Sequence, residues 1–265
     1  MKKDGHVHTP FCPHGTDDSF ELYIETAIKK GFSVITFTEH APLPEGFVDP
    51  TPDKDSAMPF SDIDRYLSIL LDLKKQYKRD IDIHIGLEVD YINGFERETA
   101  QFLDKYGPFL DDSILSVHFL KLNGQYYCVD FDEHTFQKMA ELSGGINHLY
   151  ELYYATVLKG VVSDLGKYKP KRLGHITLIH KFQKLFQATF DEKPYIEQIF
   201  AEMNKRGMEL DVNTSGLRKA FCGEIYPPED IIQAAKKQSI PLVYGSDAHS
   251  AKDVGSDFSL FEKMV

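Results

Sequence analysis

Residues of the metal-binding type stand at the ends of the apolar, strand-like segments of this chain. The first such segment contains His6 and His8, and the last, Ile240 to Tyr244, is followed by Asp247 and His249. Residues two apart on a strand share a face, so both members of each pair can point to one spot. The first and last strands of a closed barrel are neighbours. The two pairs therefore predict a barrel in which the ends of the chain meet.

The segments between these two pairs alternate regularly between strand and helix patterns. The predicted strands are 3–8, 33–38, 81–91, 113–117, 171–176, 208–212 and 240–244. The predicted helices are 20–30, 61–78, 95–106, 133–142, 147–165, 195–206 and 228–238, with a short one near residue 258. Such alternation indicates parallel strands with right-handed crossovers, in an open sheet or a barrel. Because polar residues accompany every strand, we expect a seven-stranded α/β barrel, a distorted TIM-like (β/α) fold, formed as one domain by residues 1–265.

Charge and cysteine content exclude several classes of partner. The net charge of -11 gives no general attraction for nucleic acid or for an anionic membrane. The three cysteines show no CxxC spacing, which favours a reducing compartment, so we expect a cytoplasmic protein. The polar first fifteen residues do not look like a signal peptide, and no apolar run approaches a membrane span. The oligomeric state is left open.

Nine side chains with nitrogen or oxygen donors fall on one predicted rim of the barrel: His6, His8, His14, His40, Glu88, His118, His175, Asp247 and His249. One zinc ion takes four or five ligands, and iron or manganese takes up to six. Nine candidates therefore predict two or three divalent metals (Zn, Fe or Mn), with Glu88 able to bridge two. His84 is expected to be a core residue, and Cys12 is not counted because a thiolate would add redox liability.

The motifs in which these residues occur resemble those of the PHP (polymerase and histidinol phosphatase) superfamily over nearly the whole chain. The matching segments are His6-Val-His8-Thr9, Thr38-Glu39-His40, His118 after a strand, and Ser246-Asp247-Ala248-His249. The segments 8–14 and 213–218 look most like the monofunctional histidinol-phosphate phosphatases. The resemblance implies one metal on His6, His8, Glu88 and Asp247. It implies a second on Glu88, His118 and His175, and a third on His14, His40 and His249.

The resemblance implies an enzyme that hydrolyses L-histidinol phosphate to L-histidinol and phosphate in histidine biosynthesis. A water bridging two metals would lose its proton near neutral pH, and the resulting hydroxide would attack phosphorus. Catalytic roles are expected for Glu88, Asp247 and His249. Arg218 and Arg172 are the candidates for binding the phosphate, although the odd spacing of Arg172 from His175 would turn it away in a regular strand.

Several points remain open from the sequence. Asp17, Glu39 and Asp90 are available to bind the substrate ammonium and imidazole, and the sequence does not choose among them. The segment 41–60, rich in proline, is expected to form a lid or a pocket wall. Another small phosphoester or a phosphotyrosine peptide is an alternative substrate. A metal-bound structural or regulatory module without turnover is the alternative to an enzyme.

Overall fold

Seven parallel strands form a nearly closed barrel, in a computed structural model that describes all 265 residues. In chain order the strands are β1 (Lys3–Val7), β2 (Val34–His40), β3 (Asp82–Asp90), β4 (Ile114–Ser116), β5 (Phe119–Leu122), β6 (Gln125–Cys128), β7 (Arg172–Leu173), β8 (Glu209–Asn213) and β9 (Leu242–Gly245). The barrel order is β1-β2-β3-β4-β7-β8-β9, and β5 and β6 form a separate hairpin. A parallel bridge between Val7 and Ala248 brings the end of the last strand back to the first. The predicted seven-stranded (β/α) barrel is confirmed.

Eight helices connect the strands. They are α1 (Phe20–Lys29), α2 (Ile63–Gln76), α3 (Glu96–Tyr106), α4 (Glu133–Ser143), α5 (Ile146–Val162), α6 (Lys193–Arg206), α7 (Glu229–Lys237) and α8 (Phe258–Met264). Their ends follow local signals in the sequence. The Ser19 hydroxyl accepts a hydrogen bond from the Leu22 amide at 3.3 Å at the start of α1, and Gly207, with φ of 61°, ends α6. No helix combines the length and hydrophobicity that a membrane crossing needs.

One hydrophobic core of 58 buried residues joins the barrel to its helices, and it includes residues near both ends of the chain, Val7 and Phe258. All seven residues of β2 are buried. This is expected for parallel strands, which have the barrel interior on one side and a helix layer on the other. The carboxyl ends of these strands form one rim, and the polar side chains on that rim are held by a rigid support.

Arg172 lies at the opposite, amino end of the barrel, which corrects its predicted role in phosphate binding. Strand β7 comprises only two residues, rather than 171–176, and Arg172 is the first of them. Its fully buried guanidinium donates to Asp112 Oδ2 at 2.8 Å, and the Lys3 ammonium lies 2.8 Å from the same oxygen. Gly5 leaves room for it, since a Cβ there would lie 2.1 Å from Arg172 Nη1. Arg172 therefore closes the base of the barrel and does not reach the rim.

His84 also differs from its prediction as a core residue. Its side chain lies in the amino-terminal half of β3, is 28% exposed, and faces the Asp82 carboxylate at 3.1 Å. The alternation of β3 was predicted correctly, but the amino end of the barrel is open enough there to admit solvent. His84 is thus remote from the rim that carries the other histidines.

Candidate metal centre

The two ends of the chain bring their polar pairs together, as the sequence predicts. The Asp247 amide donates to the His6 carbonyl at 2.8 Å, and the His8 amide donates to the Ala248 carbonyl at 2.9 Å. These backbone bonds set His8 Nε2 3.1 Å from Asp247 Oδ1, and the His8 and His249 rings stack with centroids 3.9 Å apart. Asp247 itself has a φ of 51°, a left-handed conformation uncommon outside glycine and found often at functional sites.

Glu88 occupies the centre of the rim. Strand pairing sets it level with His40 on β2, and its Oε2 lies 3.2 Å from His40 Nδ1 and 3.3 Å from His6 Nε2. Its Oε1 lies 2.8 Å from His175 Nε2 and 3.8 Å from His118 Nε2. The two carboxylate oxygens therefore face two different sets of histidines. This is the arrangement that a carboxylate shared between two metal sites requires.

The possible ligand atoms form three groups, each with all its atoms within 4.8 Å of one another. The first group is His6, His8 and Asp247, and the second is Glu88, His118 and His175. The third is His8, Cys12, His40 and His249. The structure thus brings together eight of the nine predicted ligands. The sequence predicted His14 as the partner of His40 and His249 in the third group. The structure groups these two histidines with Cys12 and His8 instead.

His14 lies at the outer edge of this cluster. It is exposed, and its Nδ1 is 3.0 Å from the carbonyl oxygen of Asp55. Its ring centroid is 5.2 Å from that of His40 and 5.1 Å from that of His249. It faces the same cleft as the other histidines but is not packed into the cluster of donor atoms.

Several nitrogen atoms of the cluster histidines are buried without a hydrogen bond. His8 Nε2 and His40 Nδ1 lie 3.1 and 3.2 Å from carboxylate oxygens, yet neither forms a hydrogen bond, and His175 Nδ1 also lacks a partner. Buried polar atoms are rarely left in this way, because an unpaired group loses its hydration without compensation. Imidazole nitrogens and carboxylates that converge in this manner fit a cluster of divalent metal ions.

A ring of buried carboxylates orients three of the histidines from behind. His6 Nδ1 lies 2.9 Å from Asp211 Oδ2, His8 Nδ1 3.2 Å from Glu39 Oε1, and His118 Nδ1 2.9 Å from Asp90 Oδ1. In each case the opposite nitrogen, Nε2, faces the cluster. Such carboxylates fix the ring orientation and increase the basicity of a ligating imidazole. Asp211 was missed in the sequence, and its position two residues before Asn213 on β8 was the only signal.

The electrostatics of the cluster keep its carboxylates ionised. Burial alone would raise the pKa of Glu88, but the charges of the neighbouring His6 and His118 hold it well below the usual value. Burial likewise opposes ionisation of Asp247, and His6 and His8 more than offset it, so its pKa is also lowered. Burial lowers the pKa values of His40 and His249, so both stay neutral with a free lone pair. An anionic carboxylate and a neutral imidazole are the forms that bind a metal.

A cleft of about 640 Å³ opens over the cluster. Its wall includes Thr51, Asp55 and Ser56, as expected for the segment 41–60. Four cationic side chains also line it, Lys181, Arg218, Lys219 and Lys252. The carboxylate of Asp130 lies on the same wall, where the Lys181 ammonium contacts it at 3.1 Å. The cleft therefore presents both cations and a carboxylate near the metal-binding residues.

Arg218 lies in this cleft, on the turn after β8. Its Nη2 donates to the Ser246 carbonyl at 2.6 Å, and its Nη1 lies 3.8 Å from Asp257 Oδ2. Asp257 is distant in sequence, so this partner was not foreseen. The side chain is 28% exposed and its partial pairing leaves donors available to a ligand.

The three carboxylates considered for substrate binding are placed elsewhere. Glu39 and Asp90 are buried behind His8 and His118, and Glu39 also accepts hydrogen bonds from the Thr9 amide and hydroxyl at 2.8 and 2.5 Å. Asp17 is exposed and does not line the cleft. Instead, Asp55 and Asp130 line it. All five of these carboxylates follow or flank strands or motif segments. The sequence therefore could not distinguish those that lie behind the histidines from those that line the cleft.

Comparison with known proteins gives consistent matches. The family model for the PHP domain matches residues 4–215. The chain is 53% identical over 263 residues to the histidinol-phosphatase of Bacillus subtilis (strain 168), and the match covers 98% of both sequences. The first match spans the barrel from β1 to β8 and includes the candidate ligands other than Asp247 and His249, and the second covers nearly the full chain.

Two solved structures share the fold. One, from Listeria monocytogenes and provisionally described as a histidinol phosphatase, superposes with a TM-score of 0.94 at 40% identity, covering 98% of this chain and 100% of that one. The other is histidinol phosphate phosphatase from Lactococcus lactis subsp. lactis Il1403, complexed with zinc, L-histidinol and phosphate. It has a TM-score of 0.74 at 21% identity, covering 99% of this chain and 93% of that one.

Proposed function

The chain belongs to the PHP domain family, and we propose that it is a metal-dependent phosphatase that hydrolyses L-histidinol phosphate to L-histidinol and phosphate. The observation that carries the substrate assignment is the 53% identity with the Bacillus histidinol-phosphatase over 98% of both chains. The geometry supports the same reaction, since a cluster of metal-binding groups lies at the base of a cleft large enough for a small phosphoester. The reaction would serve histidine biosynthesis.

The cluster would hold two or three divalent metals, with zinc, iron or manganese as the candidates. His6, His8, Glu88, His118, His175 and Asp247 would bind two of them, and His40 and His249 a third. His14 stays a predicted ligand of the third site because its ring lies 5.1 Å from that of His249. When bound, the metals would supply an activated water at neutral pH and positive charge for the phosphate oxygens.

Glu88, Asp247 and His249 would act by binding metal rather than by donating a proton. The pKa values of Glu88 and Asp247 are held low by neighbouring histidines, and burial lowers that of His249. None of the three would carry a proton at neutral pH for the leaving oxygen. Asn213 Nδ2 and the Ser215 hydroxyl donate to Asp247 Oδ2 at 3.1 and 2.9 Å and fix its orientation.

Arg218 would bind the substrate phosphate. It is the only arginine that lines the cleft, and a guanidinium can donate two parallel hydrogen bonds to phosphate oxygens. The hydrogen bond to the Ser246 carbonyl holds it next to Asp247, at the edge of the metal-binding groups. Its charge would stabilise the negative charge that develops on the phosphate oxygens as the bond to the leaving oxygen breaks.

Asp130 would bind the cationic part of the substrate. L-Histidinol phosphate carries an ammonium group and an imidazole, and Asp130 is a carboxylate on the cleft wall beside His118. Burial opposes its ionisation, but the nearby Lys181 and His118 lower its pKa, so it stays anionic at neutral pH. Lys181 would fix the carboxylate in place through its contact at 3.1 Å.

We also propose that residues 1–265 form one domain that acts in the cytoplasm on a small molecule, without nucleic acid or membrane partners. The single large core that reaches both ends of the chain supports one domain. The three cysteines are free and buried, which suits a reducing compartment. The net charge of -11 argues against nucleic acid as a partner.

Phosphate release from a panel of substrates tests the proposed reaction. Protein reconstituted with zinc, iron or manganese should hydrolyse L-histidinol phosphate with a far higher kcat/KM than p-nitrophenyl phosphate, a sugar phosphate, a nucleotide or a phosphotyrosine peptide. Equal and slow rates on the whole panel would reject this substrate. Elemental analysis in parallel should find more than one metal per chain, and less than one would favour the non-catalytic alternative.

The proposed substrate contact has a matched pair of variants. Asp130→Asn should raise KM for L-histidinol phosphate about tenfold while changing the rate on p-nitrophenyl phosphate little, because only the former carries cationic groups. Asp55→Asn, which alters another carboxylate on the cleft wall, serves as the comparison. An equal loss on both substrates in Asp130→Asn would assign that residue a structural role.

A further inference from the structure

Cys12 is buried among the imidazoles of the third ligand group. It is 5% exposed, and its Sγ lies within 4.8 Å of the ligand nitrogens of His8, His40 and His249. The other two thiols point to oxygen, Cys128 towards Asp130 Oδ1 and Cys222 towards the Glu224 carbonyl. Cys12 is thus the thiol of this chain that faces several nitrogen donors.

We propose that Cys12 is a thiolate ligand of the metal held by His40 and His249. This inference rests on the metal site of the proposed function and adds a ligand to it. Ligands of one tetrahedral zinc lie roughly 3.3–3.8 Å apart, as bond lengths of about 2.0–2.3 Å require. Atoms that are already within 4.8 Å of one another need only a small contraction to share one ion.

A second observation in the same place points to a ligand. His8 Nε2 and His40 Nδ1 are buried without a hydrogen bond, although each is close to a carboxylate. His8 and His40 both belong to the third group. Buried imidazole nitrogens without a hydrogen bond, in one group with a thiol, form a donor set for a metal, and a set of nitrogens with one sulfur is typical of zinc, iron or cobalt.

Charge explains why a thiolate belongs in this group. The imidazoles of His40 and His249 supply no negative charge when they bind, whereas each of the other two groups contains a carboxylate, Asp247 or Glu88. A thiolate would give the third group its own anionic ligand. A metal ion deprotonates a coordinated thiol, so the site needs no other base.

The backbone holds Cys12 rigidly in this position. The Cys12 amide donates to the Thr9 carbonyl at 2.9 Å, and the Gly15 amide donates to the Cys12 carbonyl at 3.0 Å. Thr9 is fixed in turn by Glu39, which also orients His8. Gly15 packs closely beside it, since a Cβ there would lie 3.1 Å from Cys12 Cβ, a tight contact. Burial also limits oxidation of the sulfur, which offsets the redox liability of a thiolate.

A soft ligand in one of three groups predicts metal selectivity within the cluster. The site with Cys12 should prefer zinc, cobalt or iron(II) over magnesium or manganese, because thiolate is a soft donor. The two groups built from imidazole and carboxylate should discriminate less. The third site would then determine which metals can fill all the sites of the protein.

Cobalt spectroscopy tests the thiolate directly. Metal-free protein titrated anaerobically with Co²⁺ should develop visible d–d bands and a near-ultraviolet thiolate-to-cobalt band. Cys12→Ser should lose the near-ultraviolet band and keep d–d bands, and its affinity for the weakest-bound equivalent should fall about tenfold or more. Cys128→Ser, which alters a buried cysteine that lines the cleft and belongs to none of the three ligand groups, is the matched control and should keep the band.

X-ray absorption of the zinc-loaded wild-type protein gives a second measurement that needs no variant. It should show a zinc–sulfur distance of about 2.3 Å beside shorter zinc–nitrogen distances. Cobalt that binds without a thiolate band, or a band that survives Cys12→Ser, would overturn the ligand role while leaving the metal site intact. Failure to bind any metal would instead remove the proposed function as well, and elemental analysis separates the two cases.

Discussion

The two ends of the barrel both bury charged groups, but they do so in different ways. At the amino end, the Arg172 guanidinium and the Lys3 ammonium share the carboxylate of Asp112 at 2.8 Å each. At the carboxyl rim, Glu88 and Asp247 are surrounded by histidines, and no lysine or arginine forms an ion pair with either carboxylate. Only the rim opens into a cleft of about 640 Å³.

This difference separates structural charge from functional charge. Arg172 has two nitrogens without hydrogen bonds, but each carries hydrogen and so cannot bind a metal. The unpartnered nitrogens of His8 and His40 have lone pairs and face other donors. A buried polar atom without a hydrogen bond therefore indicates a metal site only when it has a lone pair that can bind the metal. Variants at the two ends should therefore affect different properties.

The largest effect is expected from Glu88→Gln at the rim. The neutral amide of glutamine cannot act as an anionic ligand shared by two metal sites. The kcat/KM for phosphate release should therefore fall by about 10³-fold or more, and metal content should drop. Steady-state kinetics and elemental analysis measure the two effects. The matched control on the same strand is His84→Gln, which should keep both the activity and the metal content of the parent. Activity of Glu88→Gln within tenfold of the parent would contradict the central role of this carboxylate.

Asp112→Asn at the amino end should show the opposite behaviour. Removing the partner of a fully buried guanidinium should lower the free energy of unfolding by about 3 kcal/mol, while kcat/KM of the folded protein stays unchanged. Urea denaturation and kinetics on the same samples check this. Lys3→Met, which removes the more exposed partner of Asp112, should cost below about 1 kcal/mol. Loss of activity at unchanged stability would show that the two ends are coupled.

Arg218→Ala tests the arginine that lines the cleft. The metals should remain bound, and the fall in kcat/KM should correspond to a loss of about 2–4 kcal/mol of transition-state stabilisation. This is the size expected for the loss of a charge-assisted contact to a developing oxyanion. Arg218→Lys should recover only part of it, because an ammonium lacks the planar pair of donors. Full activity of Arg218→Ala at low substrate concentration would exclude phosphate binding by this residue, and so would loss of metals together with unfolding.

His180 shows a third type of buried charge. It lies between Glu192 at 2.8 Å and Glu224 at 2.6 Å. Burial lowers the pKa of His180, but these carboxylates raise it to about 9. Since this pKa is raised above the unfolded value, the stabilisation is complete below about pH 6.5 and is lost as the pH rises through 9.

His180→Gln should therefore reduce the free energy of unfolding by about 2 kcal/mol at pH 6 and by much less at pH 10. Denaturation curves of both proteins across this range measure the difference. A pH-independent difference would show that His180 contributes through packing instead. Metal removal should leave the result unchanged, because His180 belongs to none of the three ligand groups.

Local patterns predicted the fold and the composition of the rim correctly because both depend on short-range periodicity. The pairs His6–His8 and Asp247–His249 required only that both flank strands and that the barrel closes, and the bridge between Val7 and Ala248 closes it. The loop 41–60 was recognised from its prolines as a wall of the cleft. The positions of Glu88 and His175 followed from their order between the other motifs.

Sequence reasoning failed where a side chain's level along the barrel axis or its partner across the fold decides its role. Arg172 was predicted to bind phosphate from the chemistry of its guanidinium, against the indication of its odd spacing from His175, and it pairs with Asp112 at the amino end instead. Glu39 and Asp90 were two of three carboxylates left open as substrate contacts, but they lie behind the histidines. Asp211 was not found, since it is 205 residues from His6 along the chain.

The sequence by itself determined the class of fold, the family and the kind of chemistry. The alternation of strands with helices and the types of possible metal ligand both follow from local residue order. The tertiary structure decided which donors converge. Cys12 and His14 are two residues apart, and the sequence favoured His14 as the ligand, yet Cys12 is buried among imidazoles and His14 is exposed at the edge of the cleft. The direction of each side chain depends on the turn between Thr9 and Gly15, whose backbone hydrogen bonds direct Cys12 inward and leave His14 at the surface.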